Sequence, residues 1–486
     1  MNETQPIIKL LATGVPGFDE ILGGGLPEYS FNLVAGAPGS GKTTLAHQMM
    51  FALATPQRPA IYFTVLGEPP LKMLRYQQQF KFFDLDKLNR CIRLVSLAEE
   101  TASGDLDKVL ARIMQEVETH KPGLVFVDSF RSVALANRQH HLDAFESLQA
   151  FVQNLGVMLT GWQATTFLVG EYIDEKDSSP IFTIADGVIW MHQSQQDNSV
   201  VRKIEITKMR GQATRAGLHT FRMGIEGLKV FPPAQFYGAV DEAEIALPSR
   251  GYHKMGIPGL DKMMGGGLPR GYSLLVAGPS GSGKSILAAA FLAEGARSGE
   301  KGVIAAFETR PKLSRARLVA DLIERGAVSV IDTRATDLSV DEVTTLLIEE
   351  IRRTKATRVV IDSLSGFELA VAPTFRSDFR ESLARLVAAL LTTGASVVMT
   401  SELEDRYIDL RFSPYGTAFL TDAIIVQRYI EVGSRFQRML AVVKVRANDH
   451  SNELRLFHID NDGIHLGEML VEQEGLLGGS PSRRRA

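Results

Sequence analysis

The sequence predicts an α/β protein built from two copies of one domain, each with a mainly parallel β-sheet that is flanked by helices. Three observations support this prediction. A glycine-rich motif occurs twice, the residues that precede it also repeat, and short apolar runs alternate with helical stretches in each copy. Such alternation is typical of parallel sheets with helices on both faces.

An internal repeat sets the domain organisation. Residues 14–19 match 256–261 and residues 23–27 match 265–269, with both pairs offset by 242 positions (256 − 14 and 265 − 23). This self-similarity indicates a tandem duplication. Prolines in the segment 231–250 break regular structure and mark the join. The predicted parts are a first domain at 1–240, a second domain at 241–470 and a disordered polar tail at 471–486.

Strands and helices follow from the hydrophobic pattern. Short β-rich apolar runs predict strands, and apolar residues at helical spacing, such as Leu383, Leu386, Val387 and Leu390, predict helices. The predicted strands are 31–35, 60–65, 124–128, 157–160, 188–191 and 202–207 in the first copy, and 273–277, 302–307, 358–362, 395–400, 424–428 and 440–445 in the second. The predicted helices include 44–54, 105–119, 286–296, 341–354 and 378–391.

A phosphate-binding loop is predicted in each copy. The pattern G-x-x-x-x-G-K-[ST] occupies residues 36–43 and 278–285, where it follows an apolar run and opens a helical one. Its glycines let backbone N–H groups point at phosphate oxygens, and the helix adds the positive end of its dipole. We expect Lys42 and Lys284 to reach the outer phosphates; a loop that binds without hydrolysis is the alternative for either copy. The other predicted nucleotide contacts are Gly36, Pro38, Gly39, Ser40, Gly41, Gly278, Ser280, Gly281, Ser282 and Gly283.

An aspartate that follows an apolar strand completes a predicted Mg²⁺ site in each copy. Asp128 and Asp362 both hold this position, which places a carboxylate at the carboxyl edge of the sheet, where open α/β sheets bind ligands. The hydroxyls of Thr43 and Ser285, at the ends of the two loops, are the other predicted metal ligands. An aspartate that caps a turn is the alternative.

Glu68 and Glu308 are the predicted bases that polarise an attacking water or hydroxyl. In some proteins with such a loop the base is a glutamate directly after the metal-binding aspartate, but neither Asp128 nor Asp362 is followed by one. We therefore expect the base at the end of the strand that lies, along the chain, between the phosphate loop and this aspartate. Glu68 lies 26 residues after Lys42 (68 − 42), and Glu308 lies 24 residues after Lys284 (308 − 284). A glutamate in an exposed surface loop is the alternative in both copies.

Basic pairs occur late in each copy, far along the chain from the phosphate loop. Lys208 and Arg210 stand on either side of Met209, and Lys444 and Arg446 form the same pattern in the second copy. A cation supplied by a neighbouring subunit can stabilise charge on a transferring phosphate. We therefore expect these pairs to complete a site in trans; a strand end with solvated charge is the alternative.

Composition excludes several protein classes. The 486 residues include 45% hydrophobic and 22% charged residues, as in a globular protein with a full core. No apolar run approaches the ~18 residues of a membrane span, and the amino terminus lacks the pattern of a signal peptide. Cys91 is the single cysteine, which fits a reducing compartment. We expect a cytoplasmic protein whose net charge of −3 disfavours nucleic acid as a partner.

With these residues in place, the chain resembles the KaiC family of RecA-like ATPases. The resemblance runs from about residue 13 to about residue 463, and it is carried by the repeated segments before the loops, both phosphate loops, the Asp-Ser elements and the Lys-x-Arg pairs. Residues 421–423, Thr-Asp-Ala, are also similar to that family's second domain.

The resemblance implies a homohexamer that binds ATP and Mg²⁺ between subunits. It implies a slow ATPase in the first domain and, in the second, transfer of phosphate from ATP to the protein's own Ser and Thr. It implies a KaiB-like protein as a partner. Lys208, Met209, Arg210, Lys444 and Arg446 would then contact a neighbour's nucleotide.

Two positions depart from the family pattern. The family's paired glutamates fall here at residues 66–67, with Glu68 shifted by one, and at 308–309. The family's phosphorylated Ser-Thr pair falls at Ala418 and Phe419, which carry no hydroxyl. The nearest hydroxyls are those of Ser413, Thr417 and Thr421. The departure at Ala418 and Phe419 favours a stress or signalling role over circadian timing.

Two other functions compete with a KaiC-like one. A RecA- or RadA-like DNA-dependent ATPase shares the predicted fold, but the chain has no basic run apart from its terminal arginines. A scaffold that nucleotide assembles without turnover is the other alternative. No transition-metal cluster is predicted, because His140 and His141 have no further ligand at metal-binding spacing.

Overall fold

The computed structural model describes two compact units, Met1–Pro232 and Pro233–Ala486. No helix within the described part of the chain is long and apolar enough to cross a membrane. The described residues are 8–65, 75–102, 104–133, 144–173, 179–196, 199–233, 251–307, 317–331, 333, 337–403, 420–432, 435–470, 473–474 and 482–483.

The first unit is organised around a nine-stranded sheet in the order β11-β10-β9-β8-β3-β7-β6-β4-β5. The strands from β3 to β8 are parallel, whereas β8 to β11 form an antiparallel extension. The strands are β1 (Leu10–Leu11), β2 (Leu26–Pro27), β3 (Phe31–Gly36), β4 (Ala60–Thr64), β5 (Ile92–Ser96), β6 (Leu124–Asp128), β7 (Thr165–Glu171), β8 (Gly187–Gln196), β9 (Ser199–Met209), β10 (His219–Gly224) and β11 (Gly227–Phe231).

Helices cover both faces of this sheet. In α5, apolar side chains at helical spacing, among them Val109, Ile113 and Val117, pack with inward residues of β6 such as Val125 and Val127. The helices are α1 (Phe18–Leu22), α2 (Lys42–Leu53), α3 (Leu85–Arg90), α4 (Ala98–Ala102), α5 (Leu106–His120), α6 (Ala144–Gly161) and α7 (Ile181–Ile184).

The second unit repeats this topology, with the strand order β16-β15-β17-β18-β14-β19-β20-β21-β22. The strands from β14 to β19 are parallel, and β19 to β22 are antiparallel. The strands are β12 (Tyr252–His253), β13 (Leu268–Pro269), β14 (Ser273–Gly278), β15 (Gly302–Ala306), β16 (Val328–Val330), β17 (Arg358–Asp362), β18 (Ser396–Glu402), β19 (Ala423–Val432), β20 (Arg435–Val445), β21 (Arg455–Asp460), β22 (Gly463–Met469), β23 (Gln473–Glu474) and β24 (Ser482–Arg483).

The position of β14 inside the sheet explains why the sequence of this strand is apolar throughout. Leu275 and Ala277 face one core cluster, and Leu274 and Val276 face the cluster on the opposite side. Helices that pack on both faces bury both sets of side chains. The helices are α8 (Pro258–Met263), α9 (Lys284–Arg297), α10 (Arg317–Glu324), α11 (Val340–Thr354), α12 (Leu364–Ala370), α13 (Pro373–Arg376) and α14 (Phe379–Thr392).

The predicted fold class is confirmed, since each unit is a mainly parallel sheet flanked by helices. One predicted strand is wrong. Residues 157–160 lie in α6, because Leu155 and Leu159 continue its buried face while Val157 is 74% exposed. The strand comes later, as β7, after Gln163 takes a left-handed conformation (φ 58°). Within 471–486, the predicted tail, the structure describes the short antiparallel pair β23–β24.

Candidate nucleotide-binding sites

The first phosphate loop joins β3 to α2 at the carboxyl edge of the parallel sheet. Gly41 caps α2 with φ 103°, and a Cβ atom there would lie 2.7 Å from Sδ of Met223 in β10. The left-handed backbone favours glycine, and any other residue would also displace the side chain of Met223. Lys42 is buried, and its Nζ donates a hydrogen bond to the carbonyl of Ala37 (2.8 Å). The loop therefore curls around its own lysine.

The second loop has the same construction between β14 and α9. Gly283 has φ 106°, and a Cβ atom there would lie 2.6 Å from Cδ1 of Ile459 in β21. Lys284 Nζ donates to the carbonyls of Gly278 (2.9 Å) and Pro279 (2.8 Å). In both units, an antiparallel strand at the far side of the sheet thus supports the start of the loop helix.

The predicted metal ligands of the first unit lie in direct contact. Thr43 Oγ1 donates a hydrogen bond to Asp128 Oδ2 (2.7 Å), and the hydroxyl of Tyr62 donates to the same oxygen (2.7 Å). These three residues and Lys42 line one cavity of about 360 Å³. An adjacent hydroxyl and carboxylate are the oxygen donors that Mg²⁺ accepts, so the residues fit this ion.

In this cavity, burial and polar interactions shift the pKa values of Asp128 and Lys42 in opposite directions. Burial raises the pKa of Asp128, and the hydrogen bonds from Tyr62 and Thr43 oppose that rise. Burial also lowers the pKa of Lys42, although the negative charges of Glu171 and Asp128 favour its protonated form. The charges of lysine and aspartate thus stabilise each other across the cavity.

In the second unit, Asp362 ends β17 at the matching position. It accepts a short hydrogen bond from Thr400 Oγ1 on the neighbouring strand β18. Ser285 is exposed in the first turn of α9. The next residue after the aspartate, Ser363, caps α12 by accepting a hydrogen bond from the backbone N–H of Gly366 (3.1 Å). The peptide bonds after Asp128 and Asp362 are both cis.

Two further carboxylates stand beside the loops, and the sequence did not single them out. Glu171 ends β7 opposite Gly36, and Glu402 ends β18 opposite Gly278. Glu171 also lines the cavity of the first loop. Glu171 lies beside the loop only because it ends β7, the strand next to β3. The sequence analysis placed that strand wrongly, at 157–160, and therefore did not identify Glu171. The predicted bases Glu68 and Glu308 lie outside the described residues.

The Lys-x-Arg pairs lie at the opposite edge of each sheet. Met209 pairs with Gly187, which pairs with Asn32 near the start of β3. From Asn32 to Gly36, where the phosphate loop begins, β3 spans about 13 Å. Lys208 Nζ donates to the carbonyl of Thr183 (2.8 Å).

The rest of these basic residues are held by their own unit. Arg210 pairs with Asp186 (3.0 Å), and Arg446 pairs with Asp422 (3.3 Å). Lys444 Nζ donates to the carbonyl of Thr421 (2.6 Å). Burial, followed by the positive charge of the nearby arginine, lowers the pKa of both lysines of the pairs.

Thr421 is fully buried, whereas Ser413, Thr417, Ala418 and Phe419 lie outside the described residues. One group of metal-ligating side chains was not recognised in the sequence. His458, Asp460 and His465 come together on the hairpin of β21 and β22. His140 and His141 also lie outside the described residues.

Comparison with known proteins identifies the family. The family model "ATPase: KaiC" matches residues 11–235 and 253–470, which include both phosphate loops. The circadian clock protein KaiC3 of Synechocystis sp. is 27% identical over 99% of this chain and 96% of its own length. KaiC 1 of the same organism is 26% identical over 98% of this chain and 92% of its own. KaiC of Prochlorococcus marinus is 25% identical over 98% and 96%. The chain therefore belongs to the KaiC family, whose members are ATPases with two tandem RecA-like domains.

Proposed function

We propose that the protein hydrolyses ATP with Mg²⁺ at both phosphate loops, as a cytoplasmic homohexamer that binds nucleotide between subunits. The observation that carries this proposal is the cavity in which Lys42, Thr43 and Asp128 converge. A hydroxyl and a carboxylate at 2.7 Å, beside a lysine, suit a metal–phosphate complex better than a purely structural contact. We assign the same roles to Lys284, Ser285 and Asp362.

Each residue has a defined task in this proposal. The loop lysines contact the outer phosphates, and the loop N–H groups hold phosphate oxygens. Bound Mg²⁺ neutralises charge on the oxygens of the transferring phosphate. Glu68 and Glu308 orient the attacking water or hydroxyl. The negative charge of Glu171 favours the protonated form of Lys42, which keeps the lysine able to contact phosphate.

The location of the Lys-x-Arg pairs supports assembly. Lys208 and Arg210 lie near the end of β3 that is about 13 Å from the start of their own loop, so we infer that they serve the site of a neighbouring subunit. Arg210 also borders a surface cavity of about 940 Å³, lined by residues of α6 and β3. A neighbouring subunit whose phosphate loop docks there would receive both cations, and Lys444 and Arg446 would serve the second domain in the same way.

We further propose that the second domain transfers phosphate to a serine or threonine of its own chain. Thr421 is a poor acceptor of phosphate because it is fully buried. Ser413 and Thr417 are therefore the proposed targets. The curated relatives are named as circadian clock proteins. Ala418 and Phe419 favour a stress or signalling role here, with a KaiB-like protein as a candidate partner.

The test is incubation of the purified protein with Mg²⁺ and γ-³²P-ATP, with label followed in protein and in free phosphate. We expect free phosphate and labelled protein, with label mapped to Ser413 or Thr417. Lys284→Ala should abolish the protein label, because that lysine holds the phosphate being transferred. Lys301→Ala removes an exposed lysine of the same unit and should leave labelling unchanged.

Other outcomes would redirect the proposal. Label that survives in Lys284→Ala would contradict a kinase centre at the second loop. Free phosphate without labelled protein would leave an ATPase and eliminate the kinase step. Hexamers that form with undetectable turnover would support the scaffold alternative. Retention of DNA at moderate salt would support the DNA-dependent ATPase.

A further inference from the structure

Three metal-ligating side chains meet on the last hairpin of the second sheet. His458 on β21 is the cross-strand partner of His465 on β22, and Asp460 is the partner of Gly463. The two imidazole rings stack with centroids 5.0 Å apart and an angle of 19° between their planes. Asp460 Oδ1 lies 3.0 Å from His465 Nε2, and Asp460 Oδ2 lies 3.9 Å from His458 Nε2. One donor atom from each residue lies within 4.8 Å of the others.

This geometry is close to that of a bound transition-metal ion. Bonds of about 2.0–2.2 Å to nitrogen and oxygen place neighbouring ligand atoms about 3–3.5 Å apart. The pair formed by Asp460 and His465 already meets this spacing. His458 is 69% exposed, so rotation of its side chain toward Asp460 meets little steric resistance. Two imidazoles and one carboxylate suit Zn²⁺ and its first-row neighbours, whereas Mg²⁺ prefers oxygen ligands.

The carboxylate is held in place by its own turn. The backbone N–H groups of Asp462 and Gly463 both donate to Asp460 Oδ1, at 2.9 Å and 3.2 Å. These bonds leave Oδ2 directed toward His458. Supporting hydrogen bonds of this kind orient a ligand before the metal arrives.

The first unit provides an internal comparison. Its equivalent hairpin, β10 and β11, pairs Arg222 with Lys229 and Gly224 with Gly227. The backbone pairing is the same, but two cations and a glycine stand where the second unit has two histidines and an aspartate. The hairpin fold therefore does not require these ligands, and their convergence is particular to the second unit.

We propose that His458, Asp460 and His465 bind one divalent cation of the Zn²⁺ class, at a site separate from both Mg²⁺ sites. The ion is held by one nitrogen of each imidazole and the carboxylate of Asp460, and water completes its coordination. Ile459, between two of the ligands, points to the other side of the strand toward Gly283. The proposed ion thus lies on the face of β21 opposite to the one that contacts the second phosphate loop.

The experiment measures Zn²⁺ bound to the full chain after chelator treatment, by calorimetric titration with metal analysis of the dialysed protein. We expect one more equivalent in the native protein than in the double variant His458→Ala, His465→Ala. His450→Ala, which removes a histidine of the same unit outside the cluster, should bind as much as the native protein. Because the three ligands are exposed, circular dichroism should be unchanged in both variants.

A gain-of-site variant tests the proposal independently of any loss. A Cβ atom added at Gly224 would meet no other atom within 4 Å, so Arg222→His, Gly224→Asp and Lys229→His can be combined in the first hairpin. This triple variant should bind a second equivalent. Equal Zn²⁺ stoichiometry in the native protein and the double variant would overturn the proposal, as would native protein that binds none.

Discussion

The hydroxyl of Tyr62 is the residue-scale feature that sets the protonation of the first site. Asp128 must be ionised to bind Mg²⁺, yet burial raises its pKa, and the hydrogen bonds from Tyr62 and Thr43 oppose the rise. Burial raises the pKa of Tyr62 well above its usual value, so the phenol stays protonated and remains a donor. The tyrosine therefore favours the ionised carboxylate that the proposed Mg²⁺ site needs.

We expect Tyr62→Phe to move the acid limb of ATP binding at the first loop to higher pH. Loss of the hydrogen bond raises the pKa of Asp128 further, so Mg²⁺-dependent binding is lost at a higher pH as the pH falls. A hydrogen bond to a charged group corresponds to a shift of about one pH unit.

The measurement is the pH profile of ATP affinity in a Lys284→Ala background, which isolates the first loop. Tyr252→Phe, which removes a phenol of the second unit that donates to Asn448 (3.1 Å), is the control. An unchanged midpoint in Tyr62→Phe would show that the phenol does not tune Asp128.

At the scale of elements, the sequence predicted those strands and helices whose boundaries carry local signals. Predicted helix 105–119 is observed as Leu106–His120, capped by the Asp105 side chain, which accepts from the N–H groups of residues 107 and 108. The strand at 157–160 failed because a short apolar run fits a strand and a buried helix face equally well.

The candidate sites were predictable to a similar degree. Lys42, Thr43 and Asp128 were identified from contiguous motifs and do converge. Glu171 was not identified, because its place beside the loop depends on strand order, which no local pattern encodes. The cluster of His458, Asp460 and His465 was not predicted either, because the two histidines come together only through the register between two strands.

A buried ionic network ties several elements of the second unit together. Arg358 of β17 is 2% exposed, and its Nε donates to Glu300 Oε2 (2.7 Å). Its Nη1 donates to the carbonyls of Lys254 and Phe291, both at 2.8 Å. Gly295 of α9 provides room, since a Cβ atom there would lie 2.5 Å from Cδ of Arg358.

Glu300→Gln should lower the free energy of unfolding of the second unit by about 3 kcal/mol, because it leaves the arginine charge buried without its partner. Both tryptophans, Trp162 and Trp190, lie in the first unit, so their fluorescence reports that unit alone. We expect an earlier unfolding phase by circular dichroism and an unchanged fluorescence transition.

Glu350→Gln provides the control for the network. Glu350 forms a surface pair with Arg353 at 2.6 Å, and such exposed pairs contribute little to stability. If both glutamate variants leave the circular dichroism transition unchanged, the buried network does not stabilise the second unit.

At the scale of the whole molecule, duplication has preserved topology more closely than side chains. Both sheets have the same strand order and direction, and both loop helices start at a left-handed glycine. The contacts around that frame differ. Tyr62 donates to the aspartate in the first unit, whereas Thr400 does so in the second. The two ATPase domains thus share a backbone topology, but different side chains contact the aspartate in each.

The placement of Arg210 at the sheet edge opposite its own loop has a genetic consequence. If neighbours complete each other's sites, a Lys42→Ala chain and an Arg210→Ala chain are each inactive alone, yet each supplies what the other lacks. In a Lys284→Ala background, rings mixed randomly from equal amounts should recover about one functional first-domain site in four, because a site needs its loop from one parent and its arginine from the other. ATP hydrolysis after co-refolding measures this recovery. Complementation between two defective alleles would mark the ring, and not the chain, as the unit that hydrolyses ATP.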